Sequence, residues 1–266
     1  MRETLYSCLS PRCFCARAAA HFFIGISLAF AAGAVGAEEH VSGQNAWSYH
    51  GNTGPEHWGN LSSASSLCAK GMRQSPVDFI AEASMGLYKP FAFDYRTTHF
   101  QVVNNGHTVE GHATESRNRL DYGSSMFVLE QFHMHAPSEH SFEGRHYPLE
   151  IHLVHRSASG EVTVLAVLVL QGHENRALAD LFRNLPARTH DEIAVTLNTE
   201  VFLPHTQEAF EYIGSLTTPP CTENVNWIVL RQPIELSEEQ IKAFRSLYSE
   251  NRRPVQPLHQ RIVSKN

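Results

Sequence analysis

Short runs in which apolar residues alternate or dominate recur along this chain: Phe91 to Tyr95, His99 to Asn104, Ser125 to His135, Leu149 to His155, Val162 to Leu170 and Asn226 to Leu230. Their length and their period of two predict β-strands. Val162 to Leu170 is apolar almost throughout, as a central strand covered on both faces requires. Helical signals are few. Asn175 to Leu185 has a helical apolar period, and Ser237-Glu238-Glu239-Gln240 is a capping-box signature opening a helix over Ile241 to Tyr248. There is no repeat, low-complexity tract or linker. The expected fold is mainly β: a single domain on a large twisted central sheet with a few peripheral helices. The 266 residues, 42% of them hydrophobic, suffice for one large core.

The first 37 residues break this pattern. Arg2, Arg12 and Arg17 precede an apolar stretch from about Ala18 to Val35, and Val35-Gly36-Ala37 stands directly before Glu38-Glu39. This predicts a secretory signal peptide over 1–37, cleaved after Ala37, with the domain over 38–266. A retained membrane anchor is the alternative. Cleavage removes three Arg and one Glu, so the net charge moves from −6 to −8. No basic patch argues for nucleic acid. Cys8, Cys13 and Cys15 leave with the signal, and only Cys68 and Cys221 remain, either as one bridge or as two buried thiols. The mature chain is expected to be exported and free of the membrane, periplasmic where the source has an outer membrane and secreted otherwise.

Candidate chemistry lies in three histidines: His133 and His135 in Gln-Phe-His-Met-His, and His152 in Glu-Ile-His-Leu-Val-His. A strand puts residues i and i+2 on one face, so His133 and His135 point together while Phe132 and Met134 point away. The same period brings Gln131 and Glu150 onto the ligand face, each two positions before a histidine. An amide oxygen and a carboxylate there can hold the other ring nitrogen of a ligating imidazole. Three neutral nitrogens leave a fourth tetrahedral position open, the mark of a catalytic zinc site. One H-x-H pair would say little among 17 histidines; a second flanked histidine on another alternating segment gives it weight.

The segments Gln-Phe-His-Met-His, Ser-Glu-His, Glu-Ile-His-Leu-Val-His and Ser-Leu-Thr-Thr-Pro-Pro occur here in the order found in the α-class carbonic anhydrases, which the chain resembles from about Trp47 to Ile262. The resemblance implies a mostly antiparallel sheet with Zn²⁺ in a central cleft, held by His133, His135 and His152. It implies reversible hydration of carbon dioxide to bicarbonate and a proton by zinc-bound hydroxide, with weak ester hydrolysis as a side activity. Sulfonamides and small anions are the implied inhibitors, and the assembly a monomer or homodimer. A hydroxyl that donates to a carboxylate can only accept from the nucleophile in front of it; Thr217 with Glu139 fits that requirement, and the resemblance implies the same pairing. His107 matches the proton-shuttle position, suited to it by a histidine's near-neutral pKa. Asn105 and Tyr49 match residues that order the intervening waters. The implied carbon dioxide pocket is Val154, Val167, Leu216, Thr218 and Trp227. Asn251 matches a position whose backbone carbonyl accepts from the second ligand histidine, and Cys68 and Cys221 match a disulfide.

Two departures stand out. Glu110 occupies a place where many relatives carry a neutral amide, and Ala136 directly follows the ligand pair where many animal members have tryptophan. His155 faces opposite His152 by strand parity and is not expected to bind metal. Two other readings compete. His133-x-His135-x₃-Glu139 also resembles the first metal motif of cupins, but the second, Pro-x-Gly-x₂-His-x₃-Asn, is missing. A binding module that kept the fold and lost catalysis would usually lack a ligand histidine, and all three are present.

Overall fold

The computed structural model describes residues 47–80, 88–115 and 117–265. The predicted signal over 1–37 lies outside them. The strands in chain order begin with β1 (Asp78–Phe79), β2 (Phe91–Asp94), β3 (Thr97–Asn104), β4 (Val109–Ala113) and β5 (Arg119–Tyr122). They continue with β6 (Ser125–His135), β7 (Ser141–Phe142), β8 (Arg145–His146), β9 (Leu149–Ser157) and β10 (Val162–Gln171). The last are β11 (Glu192–Asn198), β12 (Ala209–Ser215), β13 (Glu223–Leu230), β14 (Ile234–Leu236) and β15 (Ser264–Lys265). Each of the six strands expected from the alternation is present. The helices are short: α1 (Trp58–Leu61), α2 (Leu67–Lys70), α3 (Ala179–Arg183) and α4 (Glu238–Arg245).

Twelve strands form one sheet, ordered β11-β3-β4-β6-β9-β10-β13-β12-β15, with β5 joining β2 to β6 and β14 added to β10. Pairings are antiparallel except where β10 meets β13 and β14. The sheet is therefore mixed but mostly antiparallel, as expected. Its middle, β6, β9 and β10, is covered on both faces. One face packs the larger core, including Phe127, Leu129, Phe132, Met134, Ile151 and Val167. The other packs a smaller cluster that includes Val154, Val164, Phe210 and Trp227.

Strand β6 would place Leu129 on the wrong face if it alternated without interruption. A β-bulge between Leu129 and Gln131 absorbs one residue against β9. Phe127 and Leu129 before it, and Phe132 and Met134 after it, consequently all reach the same core. The helix at the carboxyl side begins as its sequence foretells, since Ser237 Oγ accepts from Gln240 N and the Gln240 side chain accepts from Ser237 N. The segment expected to be helical over 175–185 is only a 3₁₀ turn followed by the five-residue α3. Asn184, whose side chain closes back onto the Asp180 carbonyl, and Pro186 cut it short.

Cys68 and Cys221 form a disulfide across 153 residues of sequence. It packs with Trp58, Trp47, Tyr49 and Leu61. In the chain-entropy model a loop of that length is worth about 5 kcal/mol. No described helix is long and apolar enough to cross a membrane.

His155, on the face of β9 opposite His152, is fully buried and meets the Tyr95 hydroxyl at 2.7 Å. Burial pushes its pKa from 6.5 down to about 4. The fold thus favours the neutral ring, so its contribution is complete above pH 6.5 and is lost as the pH falls toward 4, where only the unfolded chain takes up the proton. That interval corresponds to about 3 kcal/mol. Urea unfolding of the parent and of His155→Gln between pH 7 and pH 4 checks this: the variant is expected to lose stability less steeply, and equal slopes would refute it.

Candidate metal centre

Register brings the three histidines together. His133 on β6 lies directly across from His152 on β9, and His135 lies across from Glu150. Opposed residues in antiparallel strands share a face with Cα atoms about 4.5–5.5 Å apart. The ring centroids of His133, His135 and His152 are 5.0, 5.1 and 4.7 Å apart in pairs.

Each ring is turned by an acceptor behind it. His133 Nδ1 donates to Gln131 Oε1 at 2.8 Å, His135 Nδ1 to the Asn251 carbonyl at 2.6 Å, and His152 Nε2 to Glu150 Oε1 at 2.7 Å. A neutral imidazole carries one ring proton, and these acceptors claim it on the outer nitrogen. The inner nitrogens, Nε2 of His133 and His135 and Nδ1 of His152, are left as lone pairs within 4.8 Å of one another. Burial, reinforced by the neighbouring rings, holds the His133 pKa well below 6.5. Burial also lowers that of His135. Both rings are therefore in the form that binds a cation.

Behind the third ligand runs a chain of buried polar groups. Glu150 also accepts from His140 Nδ1 at 2.6 Å and from His140 N at 2.8 Å. Full burial works against its charge, but His140 and His152 outweigh it and hold the carboxyl well below its usual range. His140 Nε2 meets the Tyr212 hydroxyl at 2.7 Å, and Tyr212 reaches Ser75 Oγ at 2.8 Å. Sequence reasoning used Ser-Glu-His only for Glu139 and missed His140 and Tyr212. The signal for His140 was present in the short motif; nothing marked Tyr212.

The residues fit a metal ion by a separate test. Two buried atoms of the site have no hydrogen-bond partner, His135 Nε2 and Glu139 Oε2. They lie 3.6 Å apart. A lone pair and a carboxylate oxygen facing one another without a proton are compensated by a cation. The expected Thr217–Glu139 hydrogen bond is not formed: Glu139 Oε1 accepts from Arg253 N at 2.8 Å, and Oε2 turns toward the ligand nitrogens.

A cleft of about 270 Å³ opens over the triad. It is lined by His107, Tyr49, Asn105, Glu110, Thr217 and Thr218, with an apolar wall of Val154, Val164, Leu216 and Trp227. Val167 is not on that wall. Val164 pairs with Val154 and Ala166 with His152, whereas Val167 pairs with Ile151 and enters the opposite core. The place assigned to Val167 belongs to Val164. His107 stacks on Trp47 with ring centroids 3.7 Å apart, and burial lowers its pKa. Asn105 secures the turn that carries it, Oδ1 accepting from His107 N and Thr108 N at 2.9 Å. Glu110, across from His133, is engaged by His112 at 2.7 Å.

A family model for eukaryotic-type carbonic anhydrase matches residues 53–266. The chain belongs to the α-carbonic anhydrase family. It is 39% identical to a carbonic anhydrase of Pectobacterium carotovorum over 220 residues, 82% of this chain and 89% of that protein. It is 38% identical to one of Neisseria gonorrhoeae over 237 residues, 88% and 91% of the two chains. The α-carbonic anhydrase of Thermovibrio ammonificans, solved with the inhibitor sulfanilamide, aligns with a TM-score of 0.81 at 41% identity, over 84% of this chain and all of that one. In carbonic anhydrase terms the site has a triad that can hold a metal ion at the floor of a cleft with one apolar wall.

The corrected wall makes a contrast that mutagenesis can read. Val164→Phe is expected to fill the cleft and lower carbon dioxide turnover severely while thermal unfolding changes little. Val167→Phe overpacks the core instead, with a stability loss of about 1–3 kcal/mol and turnover preserved in the folded fraction. The reverse pattern would return Val167 to the wall.

Proposed function

We propose that this chain catalyses the reversible hydration of carbon dioxide to bicarbonate and a proton, with zinc as the ion held by His133, His135 and His152. The observation that carries it is the set of three inward lone pairs whose outer N–H groups are each claimed by an acceptor. Such a donor set suits zinc and leaves a coordination position open. When bound, zinc supplies a Lewis acid that lowers the pKa of a water to about 7, a value for which carbonic anhydrase is itself the reference case.

The protein's own residues supply placement and proton handling. Val154, Val164, Leu216 and Trp227 offer an apolar surface to a substrate without charge. The Thr217 hydroxyl lines the cleft and Glu139 Oε2 has no partner in this structure; paired once a metal is bound, the two would leave that hydroxyl able only to accept from the nucleophile. Gln131, Glu150 and the Asn251 carbonyl keep the ligand rings in the binding tautomer. His107, with Tyr49 and Asn105 ordering water beside it, takes up the released proton on its ring and passes it to buffer. Sulfonamides and small anions compete at the open position, and activated esters are hydrolysed weakly. The disulfide and the predicted signal over 1–37 together support an exported chain whose working part is 38–266.

Stopped-flow carbon dioxide hydration on the purified mature chain tests the whole reading. Activity is expected to vanish after chelation and to return on adding zinc; a folded protein holding one zinc and showing no turnover would sink it. A second measurement addresses the shuttle alone. Burial favours the neutral His107 ring, so proton export is expected to persist to a lower pH than an ordinary histidine would allow and to fade only as the pH falls further. His107→Ala should lower kcat by about ten-fold or more in dilute buffer, with recovery in imidazole. Failure of imidazole to restore it would remove His107 from the mechanism.

A further inference from the structure

Asn251 was expected to matter through its backbone carbonyl. Its side chain is the more connected part. The residue is 1% exposed, and every hydrogen-bonding group it has is used. Nδ2 donates to the His107 carbonyl at 3.1 Å and to the Met134 carbonyl at 3.0 Å. Oδ1 accepts from Ala136 N at 2.8 Å. The backbone N donates to the Ala136 carbonyl at 3.1 Å while the backbone carbonyl accepts from His135 Nδ1 at 2.6 Å. One primary amide offers two N–H groups and one oxygen, and here all three reach main-chain atoms of two separate segments.

Those segments are the end of ligand strand β6 and the turn that carries His107. The turn is closed on itself by Asn105 Oδ1, which takes His107 N and Thr108 N, so it keeps its own shape. Its placement over the cleft needs an external tie. Two ties converge on the Met134 carbonyl, between the ligands His133 and His135: Asn251 Nδ2 and Thr108 Oγ1 at 2.6 Å. Asn251 then extends the tie to the His107 carbonyl itself.

We propose that the Asn251 side-chain amide is a positioning residue for proton transfer, locking the His107 turn to the His133–His135 strand so that shuttle and metal ligands keep a fixed separation. This rests on the reading of His107 as the proton carrier. Transfer through ordered water depends steeply on the placement of the two ends, and a misplacement of about 1 Å can cost on the order of a hundredfold. Asn251 touches no reacting atom and acts through His107. Its substitution spares the backbone carbonyl on His135, so metal retention and proton export come apart in one variant.

Asn251→Ala, with zinc content measured on each preparation, is expected to hold one zinc per chain. Its kcat in dilute buffer should fall by about ten-fold more than its kcat/KM for carbon dioxide does, and should recover in imidazole. Combined with His107→Ala, it should add nothing to the loss that His107→Ala causes alone. Thr108→Val, which removes the other tie without changing the side chain's size, should show the same split to a smaller degree, and it serves as the test if Asn251→Ala does not fold. A parallel loss of kcat and kcat/KM, additive losses in the double variant, or unchanged kcat in both single variants would overturn the proposal and leave the shuttle standing. An undiminished kcat in His107→Ala would overturn the shuttle reading first, and the proposal with it.

Discussion

The alignment of His133 with His152 across β6 and β9 is the constraint on which the rest of the structure depends. Shift one strand by a single residue and His152 would turn into the opposite core, taking Glu150 with it, because the side-chain period of a strand is two. Register is strongly specified here because both faces are buried: Phe132 and Met134 on one strand, and Ile151 and Leu153 on the other, have to enter the larger core together. The hydrophobic pattern therefore holds the metal site in place from the opposite face of the sheet. The β-bulge at Leu129 and Gln131 belongs to the same constraint, since it lets the outer half of β6 serve that core while the inner half presents ligands.

A cluster of buried polar groups is tolerable only when each is satisfied. Behind the ligands this condition is met to an unusual depth, through Glu150, His140, Tyr212 and Ser75 on one side and through Asn251 on the other. In front of them it fails at His135 Nε2 and Glu139 Oε2. The contrast locates the function. Satisfaction behind and deficit in front hold three rings with their inner nitrogens turned toward one another, which is the arrangement that a cation completes.

What could be read from the sequence follows from which patterns survive in one dimension. The triad, Gln131 and Glu150 were legible because period two places them on one face, and the helix start at Ser237 was legible because a capping box is local. Strand β12 escaped notice because Glu211, buried within it, interrupts the apolar signal. The error at Val167 has a different origin. The resemblance put Val167 in the pocket, but pairing of Val164 with Val154 decides which valine faces the cleft, and pairing is not in the string. The orientation of Glu139 and the reach of the Asn251 amide were out of view for the same reason: both depend on the segment 251–253 folding back onto β6 across more than a hundred residues.

That returning segment also explains how the disulfide bears on the cleft. The Arg253 guanidinium, 1% exposed, donates to the Cys68 carbonyl, to Gln74 Oε1 and to the Ser75 carbonyl, while its backbone N donates to Glu139. Gln74 in turn donates to the Cys221 carbonyl, and the Cys221 N–H donates to the Thr218 carbonyl. Burial pulls the arginine's pKa to about 10, which leaves it charged at neutral pH. A buried cation with few partners would be destabilising; here three acceptors satisfy it, and each belongs to a segment that the bridge already gathers. The covalent tie and the buried charge thus restrain the same ground, and Glu139 and the Thr217–Thr218 turn are anchored to one block of structure rather than to two separate loops.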